Sequence, residues 1–371
     1  MKIAMVETWW VSRSKCLFDE KRRGKSNMPW DVVVLKITTD SGIEGLATAL
    51  AARSGAVTEA FLQENVAPVL IGRDPYDREA IWHELWNIDR HLAFFPVYMT
   101  GPVDVALWDI AAKGAGLPLY KYLGAYRRQL PVYASGNFHA TVDEYIQEAL
   151  YYKSKGIKAY KAHPPGPVQM DMKIHEAIRK AVGDDCVLMS DPVGEYSLDE
   201  GIKVGRHLEK LNYLWFEEPF RDFELYKYQE LCRSLDIPIA ATETTRGCHW
   251  GVAQTIAQRA ADIVRADVSW KNGITGTLKI AHMAEAFGLR CELHTTTMNY
   301  MDIVNLHVSC AIRNCEYFEY FVPEDNYRFP MKGDLPIDER GIITVPEQPG
   351  VGVSLDWELI KNQCLSYKVA Q

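Results

Sequence analysis

Between residues 160 and 319, short apolar runs alternate with longer amphipathic segments, and a polar side chain able to do chemistry follows each run. These polar residues are Lys161, His163, Asp191, Glu217, Glu243, Asp267, His294 and Glu319. Apart from His163, they recur every 24 to 30 residues, which is the length of one strand, one helix and two loops. The pattern predicts a parallel array of strands and helices, with the polar residues at the same end of successive strands.

A repeating βα unit of this length fits a closed barrel. In a (β/α)8 barrel the active site lies at the C-terminal ends of the strands, so residues far apart in sequence converge on one pocket. The repeat begins near residue 126 and ends near residue 321. We therefore predict an α/β fold, a (β/α)7-8 TIM-like barrel, with residues 126–321 carrying the catalytic side chains.

The first 125 residues do not keep this period. Residues 3–10 and 31–39 have the alternation of strands, and helical spacing follows from about residue 54. We expect an N-terminal α+β capping domain over residues 1–125. Residues 322–371 break the period as well, and we expect this C-terminal segment to return to the capping domain.

A long polar segment, residues 12–29, lies between the two strand-like segments. Its cations include Arg13, Lys15 and the run at residues 21–23 (KRR). A connection of this length inside a compact domain is usually a functional lid or a disordered segment. Two interpretations stay open: a solvated loop, or a lid whose cations steer an anionic substrate.

Composition and charge narrow the class of protein. The chain has 371 residues, of which 47% are hydrophobic and 24% charged, which is enough for a large core. Its net charge of −8 argues against a nucleic-acid or anionic-membrane partner. The eight cysteines form no CxxC pair, and there is no run of 18 apolar residues. We expect reduced cysteines, no membrane partner and a cytoplasmic location.

Three acidic residues, Asp191, Glu217 and Glu243, follow three successive predicted strands. Carboxylates that converge without a cation repel one another and raise each other's pKa, and a divalent ion removes that cost. Oxygen ligands without cysteine favour Mg²⁺, with Mn²⁺ also possible, over Zn²⁺. The competing interpretation is structural, because acids at strand ends also cap helices or pair with arginine. The common spacing of the three acids favours the metal site.

Candidate bases flank the three acids. Lys161 and His163 are two residues apart on one predicted strand, so both face the barrel interior, where nearby cations are expected to lower the pKa of the lysine. Asp267 and His294 end neighbouring strands, where the carboxylate can fix the tautomer of the imidazole. A lone histidine is more often structural, but a metal between two bases is the arrangement needed to remove a proton next to a carboxylate.

Several motifs resemble the enolase superfamily and, within it, the mandelate racemase-like subgroup. They are residues 104–109 (DVALWD), 215–219 (WFEEP), 273–276 (GITG) and 349–353 (PGVGV). The resemblance implies Mg²⁺ ligands at Asp191, Glu217 and Glu243, a catalytic dyad of Asp267 and His294, and a hydrogen bond between Glu319 and the enediolate oxygen. It also implies a symmetric homo-oligomer and a small-molecule carboxylate as substrate.

Three departures from the family pattern bear on the chemistry. The Lys-x-Lys of the subgroup reads KAH at residues 161–163, so a histidine takes the place of the second lysine. The first ligand is followed by PV at residues 192–193 in place of x-Asn, which is expected to remove a polar contact near the metal or the substrate. The Gly-x-Gly-Glu of the family reads GLAT at residues 45–48, which suggests an altered loop over the substrate.

Together these features predict an enzyme that removes the proton alpha to a carboxylate through an enediolate. Loss of the usual lysine with retention of the dyad favours dehydration, and a cationic lid suits a polyhydroxylated acid. We therefore predict a hydro-lyase that converts an acid sugar, an aldonate or aldarate, to a 2-keto-3-deoxy acid. A racemase or epimerase of a 2-hydroxy acid is the alternative. A metal-dependent barrel hydrolase, an aldolase and a non-catalytic binding protein fit the residues less well.

Overall fold

The computed structural model describes residues 1–13, 30–51, 55–92, 99–295, 299–324 and 329–371. Most of the predicted lid, residues 14–29, lies outside these ranges, and its role stays a prediction. Within the described ranges, the helices are all too short or too polar to span a lipid bilayer.

A four-stranded antiparallel sheet forms the centre of the N-terminal region. Its strands are β1 (Ile3–Arg13), β2 (Trp30–Thr39), β3 (Glu44–Ala51) and β13 (Cys364–Ala370), in the spatial order β13-β1-β2-β3. Residues 32–35 of β2 are all fully buried, so both faces of the sheet are covered at its middle. Because β1 pairs with both β2 and β13, a strand from the far end of the chain lies beside the first strand.

Among the described residues, five helices belong to the N-terminal region. They are α1 (Gly55–Phe61), α2 (Ala67–Leu70), α3 (Arg78–Leu92), α4 (Gly101–Gly114) and α5 (Leu119–Leu123), with a π-helical turn (Leu62–Val66) between the first two. Helix α4 packs so closely on β3 that a Cβ on Gly45 would lie 2.1 Å from the carbonyl oxygen of Ala106, and only glycine fits there. The expectation that residues 45–48 form an altered loop is wrong, because they lie in β3 and pair with β2.

Eight parallel strands form the barrel. They are β4 (Gln129–Ser135), β5 (Ala159–Ala162), β6 (Val187–Ser190), β7 (Trp215–Glu217), β8 (Ile239–Ala241), β9 (Ile263–Ala266), β10 (Arg290–Leu293) and β11 (Phe318–Phe321). Their hydrogen-bonded order is β10-β9-β8-β7-β6-β5-β4-β11. The helices between successive strands are α6 (Val142–Ser154), α7 (Val168–Val182), α8 (Leu198–Lys210), α9 (Leu225–Ser234), α10 (Cys248–Ala257), α11 (Gly273–Ala286) and α12 (Asn299–Ala311). The predicted fold, a TIM-like barrel with an N-terminal α+β region, is confirmed.

The local sequence explains where two of the barrel helices begin. Thr141 accepts a hydrogen bond from the backbone of Glu144, whose side chain bonds back, and Ser197 and Glu200 form the same capping box. Each box satisfies two backbone N–H groups that the first turn of a helix leaves unpaired. These helices therefore start shortly after β4 and β6 and return the chain to the opposite end of the barrel.

The two-residue period of a strand explains why the polar residues meet. Inside the barrel, a buried layer is formed by Tyr133, Ala159, Met189, Trp215, Ala240 and Ile263. Side chains two residues further along a strand point to the same face. The residues that take these positions are Lys161 after Ala159, Asp191 after Met189, Glu217 after Trp215 and Arg265 after Ile263. The apolar layer is thus the floor of a polar site.

The C-terminal segment contacts both parts of the molecule. Strand β12 (Ile342–Thr344) pairs with the start of β4, helix α13 (Trp357–Asn362) follows, and β13 completes the N-terminal sheet. The N–H of Val351 also donates to the buried carboxylate of Asp109 on α4 at 2.9 Å. This segment therefore connects the barrel to the N-terminal region.

A second set of contacts joins α4 and the residue before it to the start of α11. We call it the interdomain joint; its residues are Thr100, Asp104, Trp108, Asn272 and Thr275. Asp104 accepts hydrogen bonds from the backbone N–H of Thr275 at 2.8 Å and from its hydroxyl at 2.6 Å. Trp108 Nε1 donates to that hydroxyl at 2.9 Å, and Thr100 Oγ1 donates to Asn272 Oδ1 at 2.6 Å. The joint holds the segment that leads from β9 into α11.

Candidate active site

The structure brings the predicted site residues together toward the carboxyl ends of β5 to β11. Lys161 lies in β5, Glu217 ends β7 and Glu319 lies in β11. The residues that follow a strand by one or two positions are His163, Asp191, Glu243, Asp267 and His294. All of these side chains are buried except that of Glu243, which is partly exposed.

The three predicted metal ligands form a compact group. Each of Asp191, Glu217 and Glu243 offers one oxygen, and these atoms lie within 4.8 Å of one another. Burial, opposed by His294 but reinforced by the charges of Asp191 and Glu217, raises the pKa of Glu243. A divalent cation relieves this kind of repulsion, and a group of carboxylate oxygens suits Mg²⁺. The residues present therefore fit the predicted ion.

The loop after Asp191 supplies a polar contact from its backbone. The N–H of Val193 donates to Asp191 Oδ1 at 2.9 Å. Val193 has a φ of 56°, in the left-handed region that β-branched residues rarely adopt. Burial would raise the pKa of Asp191, but Lys161 and His163 outweigh it and lower that pKa to about 2. A backbone N–H in a strained conformation thus contacts the first predicted metal ligand, and the loss of a polar side-chain contact at position 193 stays a prediction.

Lys161 is surrounded by carboxylates and is only 1% exposed. Its Nζ lies 2.7 Å from Glu319 Oε1, 3.0 Å from Glu217 Oε2 and 3.5 Å from Asp191 Oδ2. Burial opposes a charge on this lysine, but Glu217 and Glu319 outweigh it and raise its pKa well above the usual value. The expected lowering of this pKa is not found, because carboxylates dominate the surroundings of the ammonium group.

His163 faces the acids from the β5 side of the barrel. Its Nδ1 lies 2.6 Å from the carbonyl oxygen of Gly136, an acceptor that assigns the proton to Nδ1. Its Nε2 lies 3.3 Å from Asp191 Oδ2. The hydroxyl of Tyr145 donates to the carbonyl oxygen of His163 at 2.7 Å and holds the backbone. The second ring nitrogen is therefore directed toward the acidic group.

Asp267 and His294 form the predicted pair on the other side. Asp267 Oδ2 lies 2.7 Å from His294 Nδ1, and Asp267 Oδ1 accepts from the N–H of Ser269 at 2.7 Å and from Asn305 Nδ2 at 3.2 Å. His294 Nε2 lies 3.4 Å from Glu243 Oε1. Burial opposes a charge on His294, but Glu243 and then Asp267 outweigh it and raise its pKa to about 9. The carboxylate behind the ring fixes which nitrogen faces the acids.

Sequence reasoning missed Arg265, which lies among the predicted residues. Its guanidinium is fully buried and pairs with Glu217 and Glu319. A signal was present, because a single arginine interrupts the apolar run at residues 263–266, two positions before Asp267. The two-residue period of a strand places such a side chain on the same face as Asp267.

Two family comparisons agree with this architecture. Residues 25–124 match the family described as mandelate racemase / muconate lactonizing enzyme, N-terminal domain. Residues 144–359 match the family described as enolase C-terminal domain-like, which covers more than half of the chain. The chain therefore belongs to the mandelate racemase-like subgroup of the enolase superfamily, as its motifs predicted.

Named relatives extend the comparison. The arabinonate dehydratase of Saccharolobus solfataricus is 30% identical over 340 residues, covering 90% of each chain. The crystal structure of D-glucarate dehydratase from Agrobacterium tumefaciens, complexed with magnesium, is 33% identical with a TM-score of 0.88 and covers 99% of this chain and 100% of its own. That of L-talarate dehydratase from Polaromonas sp. JS666, complexed with Mg and L-glucarate, is 27% identical with a TM-score of 0.86 and covers 100% and 99%. The prediction that this chain is an enzyme is confirmed.

Proposed function

We propose that this protein catalyses the Mg²⁺-dependent dehydration of an acid sugar, an aldonate or aldarate, to a 2-keto-3-deoxy acid. The observation that carries the proposal is the group of Asp191, Glu217 and Glu243, flanked by His163 on one side and by His294 on the other. The similarity to dehydratases named for arabinonate, D-glucarate and L-talarate supports both the reaction and the substrate class.

In this proposal Asp191, Glu217 and Glu243 hold the magnesium ion. An ion bound there would neutralise the negative charge that develops on the substrate carboxylate when the neighbouring C–H bond loses its proton. Lys161 adds a positive charge beside Glu217. Its contacts with Glu217 and Glu319 favour the ammonium form of Lys161, and an ammonium group there would bind the anionic substrate.

Proton transfer then falls to the two histidines. His163 and His294 follow β5 and β10, which are separated by four strands in the barrel order, so the rings approach the acidic group from different sides. One accepts the proton from C2 of the sugar, and the other gives a proton to the hydroxyl that leaves C3, so that one water is lost. Asp267 holds His294 for this role. The enol that remains loses the proton of its C2 hydroxyl and takes a proton at C3 to give the 2-keto-3-deoxy acid.

The same two histidines favour a second candidate function. Two bases on different sides of one acidic group are what a racemase or epimerase of a 2-hydroxy acid needs, since it removes a proton from one face and returns it to the other.

Several further statements stay predictions. They are the roles of Lys161, His163, Asp267, His294 and Glu319, the homo-oligomer, the cytoplasmic location and the use of Mn²⁺.

Incubation of the protein with Mg²⁺ and a panel of mono- and diacid sugars in D₂O tests the proposal. We expect a 2-keto-3-deoxy product from at least one sugar, detected by NMR and mass spectrometry, and no product after chelation of the metal. Deuterium at C2 with the C3 hydroxyl retained would assign the epimerase instead. Failure of every sugar with a protein that binds Mg²⁺ would exclude the substrate class.

A further inference from the structure

A single arginine lies under the candidate site and contacts most of its elements. Arg265 is fully buried, and its Nε lies 2.8 Å from Glu217 Oε1. Its Nη2 donates to Glu319 Oε2. Its Nη1 donates to the carbonyl oxygens of Glu292 and Leu293 at 3.2 and 3.3 Å. Nη1 and Nη2 therefore donate hydrogen bonds to separate partners, whereas Nε contacts Glu217 as an ion pair without hydrogen-bond geometry.

These partners lie on three different strands. Glu217 ends β7, Leu293 ends β10 and directly precedes His294, and Glu319 lies in β11. Arg265 itself lies in β9, two residues before Asp267. One side chain thus cross-links the elements that carry a proposed metal ligand, both members of the dyad and the acid that pairs with Lys161.

The two buried cations divide the oxygens of the two acids between them. Arg265 takes Glu217 Oε1 and Glu319 Oε2, whereas Lys161 takes Glu217 Oε2 and Glu319 Oε1. The remaining donors are Trp215 Nε1 to Glu217 Oε2, Ser135 Oγ to Glu319 Oε1 and the N–H of Thr295 to Glu319 Oε2. Glu217 and Glu319 are therefore bridged by two cations, and neither carboxylate can rotate without breaking a charged contact.

We infer that Arg265 is a positioning residue that sets the orientation of Glu217 toward the metal and the spacing between the metal site and the Asp267/His294 dyad. The inference rests on the proposed function, in which Glu217 is a metal ligand. A planar guanidinium has donors in a fixed fork and can bridge two carboxylates and two carbonyl oxygens at once. A lysine ammonium is a point charge on a flexible stem and cannot hold the same set.

Substitution of Arg265 by lysine isolates this geometric role, because the charge of the site is conserved. For Arg265→Lys we expect Mg²⁺ affinity, measured by titration calorimetry, to fall about 10- to 100-fold, as is common when a group that orients a metal ligand is changed. With a substrate from the sugar panel, kcat should fall by a similar or larger factor, while KM at saturating Mg²⁺ changes about threefold or less.

Arg179→Lys is the matched control. Arg179 on α7 is also a largely buried arginine, and its guanidinium donates to backbone carbonyl oxygens, those of Leu211, Gly183, Cys186 and Asn212. It belongs to neither the acidic group nor the dyad. We expect Arg179→Lys to lower the melting temperature while Mg²⁺ affinity and kcat stay at the wild-type values. Melting curves show whether each variant is folded.

The possible outcomes separate the two proposals. If wild-type protein fails to bind Mg²⁺, the proposed function falls, and this inference with it. If wild-type protein binds Mg²⁺ and Arg265→Lys binds it equally well with unchanged kcat, only the positioning role of Arg265 is overturned. Should Arg265→Lys not fold, the double variant Arg265→Gln with Glu319→Gln replaces the ion pair by two neutral amides at constant net charge. Wild-type Mg²⁺ affinity in a folded double variant would then reject the inference, and a loss of 10-fold or more would support it.

Discussion

The candidate site and the interdomain joint both bury acidic side chains, yet they treat the charge in opposite ways. In the site, Lys161 and Arg265 outweigh the effect of burial and hold the pKa of Glu319 well below its usual value. In the joint, burial outweighs the hydrogen bonds from Thr275 and raises the pKa of Asp104 to about 7. The cations that contact Glu319 stabilise its ionised form. The hydrogen bonds from Thr275 to Asp104 come from neutral donors, and they do not offset the cost of burying a charge.

The difference separates two purposes of buried polar groups. The site is held by ion pairs, which keep its buried acids charged, as the proposed function requires. The joint holds the N-terminus of α11 against α4, and it is held mainly by hydrogen bonds among neutral groups. Substitutions in the site should therefore change turnover more than stability, and substitutions in the joint should do the reverse.

His294→Asn is expected to have the largest effect, on turnover alone. Asparagine can still donate a hydrogen bond to Asp267, so the melting temperature should stay within a few degrees of the wild-type value. Loss of the imidazole removes a proton-transfer group, which contributes about 10²- to 10⁴-fold to rate, so kcat should fall about 10³-fold or more. Steady-state kinetics on the sugar identified by the panel measure the change.

A histidine outside the site provides the control for that variant. His249→Asn, on α10, should leave kcat unchanged, since His249 packs against Trp250 and takes no part in the proposed chemistry. Wild-type turnover in His294→Asn would show that the Asp267/His294 dyad takes no part in catalysis. Substitutions in the candidate site would then not affect turnover more than substitutions in the interdomain joint.

Asp104→Asn should change how stability depends on pH. The pKa of Asp104 is about 7 in the folded protein, against an ordinary value of 3.8. Between these values the folded state binds more protons than the unfolded state, so this group lowers stability as pH rises from about 4 to 7 and has a constant effect above 7. Asparagine cannot ionise, so the variant should gain on the wild type by a few kcal/mol over that interval.

Urea unfolding of wild type and Asp104→Asn at several pH values from about 5 to 8 measures that gain. A fixed offset between the two curves is expected from the altered hydrogen bonds with Thr275, but the gap should shift with pH in favour of the variant. Parallel curves would show that Asp104 is ionised in the folded protein, and the joint would then resemble the site. Turnover at saturating Mg²⁺ should stay near the wild-type value.

Trp108→Phe should give the smallest effect and sharpen the comparison further. The change removes the hydrogen bond from Nε1 to Thr275 Oγ1 but keeps an aromatic ring near Arg78, whose guanidinium carbon lies 4.0 Å from the ring centre. A single hydrogen bond of this kind contributes about 1 kcal/mol, so the free energy of unfolding should fall by that amount. A loss of turnover by a factor of about ten or more would instead show that the joint controls the site.

The sequence predicts which residues converge on the candidate site, but it does not predict which residues hold them in place. Strand-end residues such as Asp191 and His294 repeat at the length of a βα unit, and that period is visible without coordinates. Arg265 lies inside a strand and adds no step to this repeat, so its only signal is the break that it makes in an apolar run. The bond between Asp104 and Thr275 joins residues 171 positions apart, and no local pattern encodes such a contact.

The sequence also does not predict the backbone conformation at two places. The family motif predicts a loop at residues 45–48, but a motif carries no information on strand pairing, and these residues pair with β2. The side chain of Val193 gives no sign of its left-handed backbone, because β-branched residues rarely adopt that conformation. Periodicity thus predicts which residues converge, and tertiary contacts decide what holds them.

Strand β13 determines when the N-terminal sheet can be completed during synthesis of the chain. It pairs with β1 through contacts such as Val6 with Ala370, so a strand made early waits for one made more than 300 residues later. Until then β1 keeps an open edge, which is the kind of surface that invites mispairing between nascent chains. Although most of the N-terminal sheet is translated before the barrel, the sheet is therefore completed only after the whole barrel has been synthesised.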